Sequence, residues 1–232
     1  MEKLREEVLE ANLCLVRKGL VLSTFGNVSG VSRELGMIVI KPSGVPYETM
    51  KLEDLVVTDL HGKVVEGALR PSSDLPTHVI LYREFPSIGG VAHTHSEFAT
   101  AWAQARKPIP CFGTTHADYF HGEIPLTGVL TESTIRNEYE RNTGVAIVRA
   151  FRKKDPMAVP AVLVANHGPF AWGATAAEAS ENAWMLETAA RMAYMTISIN
   201  PHAKGIGKHL HDKHFLRKHG KQAYYGQSKH KK

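Results

Sequence analysis

Short apolar runs and helix-forming segments alternate along the whole length of this chain, and this alternation limits the folds open to it. Apolar runs typical of buried strands occur at 37–40, 88–93 and 161–165. Apolar residues from Leu4 to Leu15 recur at helical spacing, which predicts an opening helix. Because strand and helix signals intermingle and no repeat or linker interrupts them, the sequence predicts a layered α/β domain.

Further elements follow from turn and capping signals. Ser72 or Ser73 predicts the start of a helix that runs to Glu84, and Ser96 predicts the start of another that runs to Ala105. Thr175 followed by Glu178 forms a capping box for a long helix ending near Met195, Thr131 begins a helix ending near 142–144, and segments 55–59 and 63–66 read as a strand hairpin. The segment 23–30 is predicted to be a loop, and 145–150 is predicted to be a strand.

Length and composition are those of an ordinary globular chain. Of 232 residues, 43% are apolar and 22% are charged, so residues 1–232 fit one domain with one core. The sequence has no apolar run of the roughly 20 residues that a membrane span needs. It has no secretory signal, and its two cysteines, Cys14 and Cys111, are too few for a disulfide framework. We therefore expect a cytoplasmic protein without a membrane partner.

The net charge of +5 is unevenly distributed. From Lys204 onward there are nine lysine or arginine residues against one acid, Asp212, so the rest of the chain is net negative. Nucleic-acid binding favours basic residues spread over a face with interleaved aromatics. A basic C-terminal tail from about 204, solvated or in contact with another subunit, is therefore expected rather than a nucleic-acid partner.

Three histidines are the strongest sign of chemistry. His93 and His95 stand two residues apart, and residues two apart on a strand share one face, so both imidazoles can reach a single ion. The apolar run 161–165 leads to His167, which can supply a third imidazole if its strand lies nearby. Three imidazoles with an open fourth position are typical of a catalytic zinc-type site. The alternative is three unrelated histidines in a histidine-rich chain.

Two short polar loops predict an anion site. Ser43-Gly44 follows a buried strand, and Ser72-Ser73 precedes a helix. Helix N-termini present unpaired N–H groups and a positive dipole end to anions. Gly44 would let a phosphate approach the backbone, and Lys41 would add a positive charge. Each loop, taken alone, is also consistent with an ordinary turn or helix cap.

Two further residues can move protons. Asp118 lies in the polar segment TTHADY and would serve as an acid or base if a site desolvates it. The C-terminal segment HFLRKHGKQAYYGQ carries the adjacent tyrosines Tyr224 and Tyr225, and a tyrosine buried near a metal can exchange a proton. The alternatives are a turn-forming Asp and a Tyr that packs against the domain.

Several longer motifs together resemble the class II aldolase/adducin family. They are EVLEANL, FGNVS, VIKPSGV, PSSDLPTH, FPSIGGVAHTHS, GTTHADYF, NHGPFAWG and DKHFLRKHGKQAYYGQ, and they cover nearly the whole chain. The resemblance implies a three-layer α/β/α sandwich, assembled as a homotetramer with active sites between subunits. The end of the chain, SKHKK, lies outside every motif.

The resemblance also implies roles for individual residues. It places Asp74, His93, His95 and His167 as ligands of one divalent metal ion per subunit. It places the substrate and its phosphate at Gly26, Asn27, Lys41, Ser43, Gly44, Ser72 and Ser73. It makes Asp118 and Tyr225 the two proton-transfer groups, with Tyr225 reaching in from a neighbouring subunit. Zn²⁺ is the expected ion, and Mn²⁺ or Co²⁺ also suits this ligand set.

The activity implied by the resemblance is epimerisation of a phosphorylated ketose. We expect interconversion of L-ribulose 5-phosphate and D-xylulose 5-phosphate by cutting and remaking the bond between carbons 3 and 4. A related class II sugar-phosphate aldolase is the alternative, although similar aldolases carry Glu where this chain has Asp74. A non-catalytic, adducin-like interaction module is a remote alternative, because it has no need of the HTH, NHG and SSD motifs.

Overall fold

A single antiparallel sheet organises the chain in the computed structural model, which describes residues 1–226. Its strand order is β4-β3-β2-β1-β5-β7-β6, and every neighbouring pair is antiparallel. The strands are β1 (Asn27–Ser32), β2 (Met37–Ile40), β3 (Val56–Asp59), β4 (Val64–Glu66), β5 (Gly90–His93), β6 (Ala161–Val164) and β7 (Gly168–Gly173). The predicted SKHKK end lies outside the described residues.

Helices cover both faces of this sheet. They are α1 (Glu2–Arg17), α2 (Leu75–Glu84), α3 (Glu97–Gln104), α4 (Thr114–Ala117), α5 (Glu132–Arg136), α6 (Tyr139–Ala150), α7 (Ala176–Ile199) and α8 (Lys208–His219). A 3-10 turn, Leu52–Asp54, precedes β3. None of the helices within residues 1–226 is long and apolar enough to cross a bilayer.

Two adjacent residues of β1 show how the layers are arranged. The hydroxyl of Ser29 lies 2.7 Å from His78 of α2, whereas a Cβ built on Gly30 would lie 2.9 Å from Val8 of α1 and 3.6 Å from Ala176 of α7. Since successive side chains of a strand point to opposite faces, α2 lies on one face and α1 with α7 on the other. The predicted three-layer α/β/α architecture is confirmed.

Most predicted elements are present with shifted bounds. The opening helix buries Val8 and Leu15, as predicted. Thr175 caps α7 by accepting from the N–H of Glu178 at 3.1 Å, and the helix runs on to Ile199. The N-cap of α2 is Asp74 rather than Ser72 or Ser73, although the Ser72 hydroxyl accepts from the Asp74 N–H at 3.3 Å.

Three predicted boundaries were wrong. Residues 27–32 form strand β1, not a loop, and they pair with β2 and β5. The helix that Thr131 caps ends at Arg136, so the single predicted helix is two. The second, α6, begins after Glu138, whose left-handed conformation (φ of 52°) interrupts the helical backbone. The predicted strand 145–150 is the second half of α6.

Gly144 explains why the strand prediction at 145–150 failed. The sequence predicts that this glycine ends a helix, but a Cβ at this position would lie 2.8 Å from the Cβ of Ile80 in α2. The glycine therefore allows α2 and α6 to approach closely in mid-helix. Helix packing, rather than a local stop signal, decides the residue at this position.

Candidate active site

The predicted metal and substrate residues converge on one cavity of about 350 Å³. Antiparallel pairing aligns Asn27, at the start of β1, with His93, at the end of β5. The end of β2, the start of β7 and the start of α2 meet at the same edge of the sheet. The sequence-predicted residues that line the cavity are Gly26, Asn27, Lys41, Ser43, Gly44, Ser72, Ser73, Asp74, His93, His95 and His167.

The three histidines form a tight cluster. Their ring centroids lie 5.0 Å apart for His93 and His95, 4.7 Å for His93 and His167, and 5.0 Å for His95 and His167. His95 lies just past the end of β5, and His167 lies in the turn between β6 and β7. β6 is not the neighbour of β5, because β7 lies between them. His167 reaches the pair because it immediately precedes β7, which pairs with β5.

The protonation of these rings suits a cation. Nδ1 of His93 lies 2.9 Å from the carbonyl oxygen of Pro169, and a carbonyl only accepts, so Nδ1 carries the hydrogen. The lone pair of His93 is therefore on Nε2, which lies 3.2 Å from Nε2 of His95. Burial and the neighbouring imidazole of His93 lower the pKa of His95, and burial with both neighbours lowers the pKa of His167 to about 3. Imidazoles that converge in this way, two of them with lowered pKa values, fit a divalent metal ion.

Asp74 lies beside this cluster. Its Oδ2 accepts from Nδ2 of Asn27 at 2.7 Å, and Asn27 also donates to the Ser72 hydroxyl at 3.0 Å. Burial acts to raise the pKa of Asp74, but His93, His78 and the Asn27 hydrogen bond outweigh burial and hold it below its ordinary value. At this cavity, the described ligand atoms that lie within 4.8 Å of one another belong to His93, His95 and His167, and Asp74 is not among them. A metal bond to Asp74 stays a prediction.

The two predicted anion loops are one structural unit. The N–H of Ser43 donates to the carbonyl of Arg70 at 2.9 Å, and the N–H of Ser72 donates to the carbonyl of Lys41 at 2.9 Å. Gly44 has a φ of 70°, a conformation that favours glycine. Ser43 and Ser73 are exposed to the cavity, whereas Lys41 is only 2% exposed. Burial lowers the pKa of Lys41 because it disfavours the charged ammonium. An anion bound nearby would stabilise that charged form.

The match to known proteins agrees with this site. A model of the class II aldolase and adducin N-terminal domain matches residues 6–194. The chain belongs to the class II aldolase and adducin family. Members of this family depend on a divalent metal ion, in keeping with the histidine cluster.

Individual members of the family are similar over nearly the whole chain. An L-ribulose-5-phosphate 4-epimerase, UlaF of Salmonella paratyphi B, is 55% identical over 227 residues, which are 98% of this chain and 100% of that protein. The solved structure of an L-fuculose 1-phosphate aldolase has a TM-score of 0.78 at 26% identity, covering 91% of this chain and 94% of that one. An L-fuculose 1-phosphate aldolase from Glaciozyma antarctica PI12 has a TM-score of 0.77 at 18% identity, covering 96% and 84%, and shows the shared fold.

Sequence reasoning missed Tyr139 and Glu140, which also line the cavity of this class II aldolase domain. The hydroxyl oxygen of Tyr139 lies 3.2 Å from Nδ1 of His167. The sequence predicts both residues to lie in the interior of a helix that starts at Thr131. The break at Glu138 instead places Tyr139 at the first position of α6, and no motif in the sequence marks that position.

Asp118 and Tyr225 do not line the cavity of their own chain. Asp118 follows α4, and its two carboxylate oxygens accept from Arg217 of α8 at 3.1 and 2.7 Å. Tyr225 is 59% exposed, with its ring centroid 4.8 Å from the guanidinium carbon of Arg217. Within one chain, the two predicted proton-transfer groups therefore share one arginine and stand apart from the histidines.

Proposed function

We propose that this chain is an L-ribulose-5-phosphate 4-epimerase, which interconverts L-ribulose 5-phosphate and D-xylulose 5-phosphate. The observation that carries the proposal is the 55% identity to such an epimerase over 98% of the chain. That similarity extends beyond residue 194, where the family domain ends, so it includes the segment that bears Arg217 and Tyr225. The cavity supports the proposal because it combines a metal-type histidine cluster with an anion cradle.

The anion cradle would hold the phosphate. The Ser43 and Ser73 hydroxyls face the cavity, Gly44 leaves room beside its backbone, and the N-terminus of α2 adds its dipole. Lys41, a buried residue of the same cavity, would supply a positive charge. Within residues 1–226, the buried Oδ1 of Asn27 lacks a hydrogen-bond partner, and a substrate hydroxyl can donate to it. The phosphate end and the hydroxylated end of a ketose phosphate thus have separate partners.

Inversion at carbon 4 requires a carbon–carbon bond to break, because that carbon is not adjacent to the carbonyl at carbon 2. A base removes the proton from the carbon 4 hydroxyl, the bond between carbons 3 and 4 breaks, and its electron pair moves toward the carbonyl oxygen. The aldehyde fragment turns over while its phosphate stays bound, and the bond re-forms on the other face. An acid then returns the proton to the new hydroxyl.

His93, His95 and His167, with Asp74, would hold the metal ion in this reaction. A divalent ion bound there supplies Lewis-acid stabilisation of the negative charge that develops on the substrate oxygens. Asp118 and Tyr225 would be the base and the acid, one for each face of the aldehyde. We propose that both come from a neighbouring subunit, which is supported by their distance from their own cavity and by the arginine they share.

The remaining proposals concern the assembly, the metal ion and the cellular compartment of the enzyme. We infer a homotetramer with shared sites, which the exposed apolar side chains of Met192, Tyr194, Met195 and Ile199 on α7 support. We also propose that residues 1–232 act as one domain, that the resident ion is Zn²⁺, and that the protein works in the cytoplasm. The free thiols Cys14 and Cys111 are compatible with a reducing compartment.

One assay tests the proposal against its alternative. The similarity to an L-fuculose 1-phosphate aldolase structure makes a product-releasing aldolase the second candidate. Purified protein with Zn²⁺ or Mn²⁺ is incubated with L-ribulose 5-phosphate, and the products are separated by chromatography. D-xylulose 5-phosphate is expected. Accumulation of dihydroxyacetone and glycolaldehyde phosphate instead would identify an aldolase, and unchanged substrate would reject both activities.

A further inference from the structure

Arg217 lies between the two residues to which proton transfer is assigned. Its Nε and Nη2 donate to Oδ1 and Oδ2 of Asp118 at 3.1 and 2.7 Å, and its guanidinium carbon lies 4.8 Å from the centroid of the Tyr225 ring. Its own carbonyl accepts from the N–H groups of Tyr224 at 3.0 Å and Tyr225 at 3.1 Å. One residue therefore contacts both groups, through its side chain and its backbone.

The helix that carries Arg217 is held firmly against the segment that carries Asp118. The N–H of Gly122 donates to Nε2 of His211 at 3.0 Å, and the rings of His121 and His211 stack at 4.9 Å. His121 also bonds Asp212 at 3.0 Å, and Lys208 pairs with the same carboxylate. His121, His211 and Asp212 resemble a metal cluster by distance alone, but these bonds and the neighbouring ammonium already satisfy them. They act as a clamp between α8 and residues 120–122.

Basic side chains surround Asp118. Besides Arg217, Nδ1 of His214 lies 3.0 Å from Oδ1 and Nζ of Lys218 lies 4.0 Å from Oδ2. Nε2 of His219 lies 2.9 Å from the Asp118 carbonyl oxygen. The Asp118 side chain is only 14% exposed. Burial would raise the pKa of Asp118, but the hydrogen bonds from Arg217 and His214 and the charge of Lys218 lower it.

We propose that Arg217 is a positioning residue that holds the carboxylate of Asp118 and the ring of Tyr225 together, so that both reach the substrate as one unit. The inference rests on the proposed function, which gives those two residues their chemistry. A planar guanidinium can bond both carboxylate oxygens and stack on a ring at once, whereas a lysine ammonium is a point charge and cannot. A displacement of about 1 Å in a reacting group can reduce a rate by roughly 10²-fold.

The test compares Arg217→Met and Arg217→Lys with Lys213→Met in the metal-loaded protein. Lys213 is an exposed residue of the same helix, so its variant loses the same charge without touching Asp118. Arg217→Met is expected to lower kcat by roughly 10–10²-fold with little change in KM. It should also move the acidic limb of the kcat profile to higher pH. Arg217→Lys should keep that limb near its original pH and still lose part of kcat, and Lys213→Met should resemble the wild type.

Two comparisons separate positioning from a merely structural role. In an Asp118→Asn background, Arg217→Met should lower kcat little further, because the effects of mutating two coupled residues do not add. The ¹³C signal of the Asp118 carboxyl carbon, followed against pH, should titrate at higher pH in Arg217→Met even without turnover. If wild type fails to epimerise but this titration moves, the proposed function falls and the contact stands. An unmoved titration, or an unchanged acidic limb in an active Arg217→Met variant, overturns the role of Arg217.

Discussion

The hydroxyl oxygen of Tyr139 lies 3.2 Å from Nδ1 of His167, so a residue outside the predicted site contacts the ring of a predicted metal ligand. The position of Tyr139 is itself fixed. The Thr143 hydroxyl donates to the Tyr139 carbonyl at 3.0 Å, and the Thr77 hydroxyl of α2 donates to the carbonyl of Glu140 at 2.5 Å. Partners that orient a ligating imidazole tune the affinity of the site for its metal.

Tyr139→Phe is therefore predicted to weaken metal binding by roughly 10–10²-fold, the range for loss of such a partner. Competition with a chromophoric chelator at fixed pH measures the affinity directly, without turnover. Tyr194→Phe, at an exposed residue of α7, is the control. Equal zinc affinities for Tyr139→Phe and the wild type would show that the hydroxyl does not orient His167.

Removal of the metal should abolish the activity. Exhaustive chelation is predicted to stop turnover, and added Zn²⁺ or Mn²⁺ should restore it, because no other group in the cavity can replace a Lewis acid. His167→Asn should remain folded but retain little metal, since His167 is one of the three clustered histidines proposed to bind it. Elemental analysis alongside the assay checks both statements. Full turnover in a preparation shown to be metal-free would contradict the metal role.

Ser73→Asp should impair binding of the phosphate. It places a carboxylate beside the anion cradle, and like charges at contact distance repel, so KM is expected to rise roughly tenfold or more. Ser133→Asp, on the exposed helix α5, adds the same charge elsewhere. Steady-state kinetics with L-ribulose 5-phosphate gives the comparison. If unphosphorylated L-ribulose were used as efficiently as its phosphate ester, the cradle assignment would be wrong.

Mixed oligomers test where Asp118 and Tyr225 act. Because both contact Arg217 of one chain, a mixture of Asp118→Asn and Tyr225→Phe chains is predicted to stay inactive. A mixture of His167→Asn and Tyr225→Phe chains should instead recover about a quarter of the wild-type activity, if neighbouring subunits complete each site in random assemblies. Two affinity tags isolate the mixed species. Recovery in the first mixture, whatever the second shows, would mean that the two groups come from different chains.

The stability of the α8 attachment should depend on pH through Asp118. A lowered pKa means that the ionised carboxylate stabilises the fold above its ordinary pKa of about 4, and that this contribution is lost as the pH falls through the lowered value. Asp118→Asn should therefore reduce the Tm most near neutral pH, and the deficit should shrink in acid. Thermal unfolding across pH measures this, with Asp155→Asn as the control, since within residues 1–226 the Asp155 side chain bonds only the backbone N–H of Met157. A deficit that is constant with pH would contradict the ion pair.

Local patterns in the sequence were sufficient for much of this protein. The cap formed by Thr175, the apolar strands and the close spacing of His93 and His95 depend on neighbours along the chain, and the structure contains all of them. The family resemblance also predicted the metal and substrate residues, and all of them line the cavity. The cap, the strands and the histidine spacing are local, so propensity and periodicity predict them directly, whereas the set of cavity residues came from the family resemblance.

Only the tertiary structure decided how these pieces meet. β7 lies between β5 and β6, and this strand order brings His167 to His93 and His95. The left-handed backbone conformation of Glu138 separates α5 from α6 and brings Tyr139 to His167. The packing of α8 on α4 brings Arg217 between Asp118 and Tyr225. Each of these contacts joins elements far apart in sequence. The strands meet by burying apolar surface in the core, whereas α8 meets the segment after α4 through the ion pair and hydrogen bonds of Asp118. The free energy of this packing belongs to the whole fold, so no local pattern encodes it.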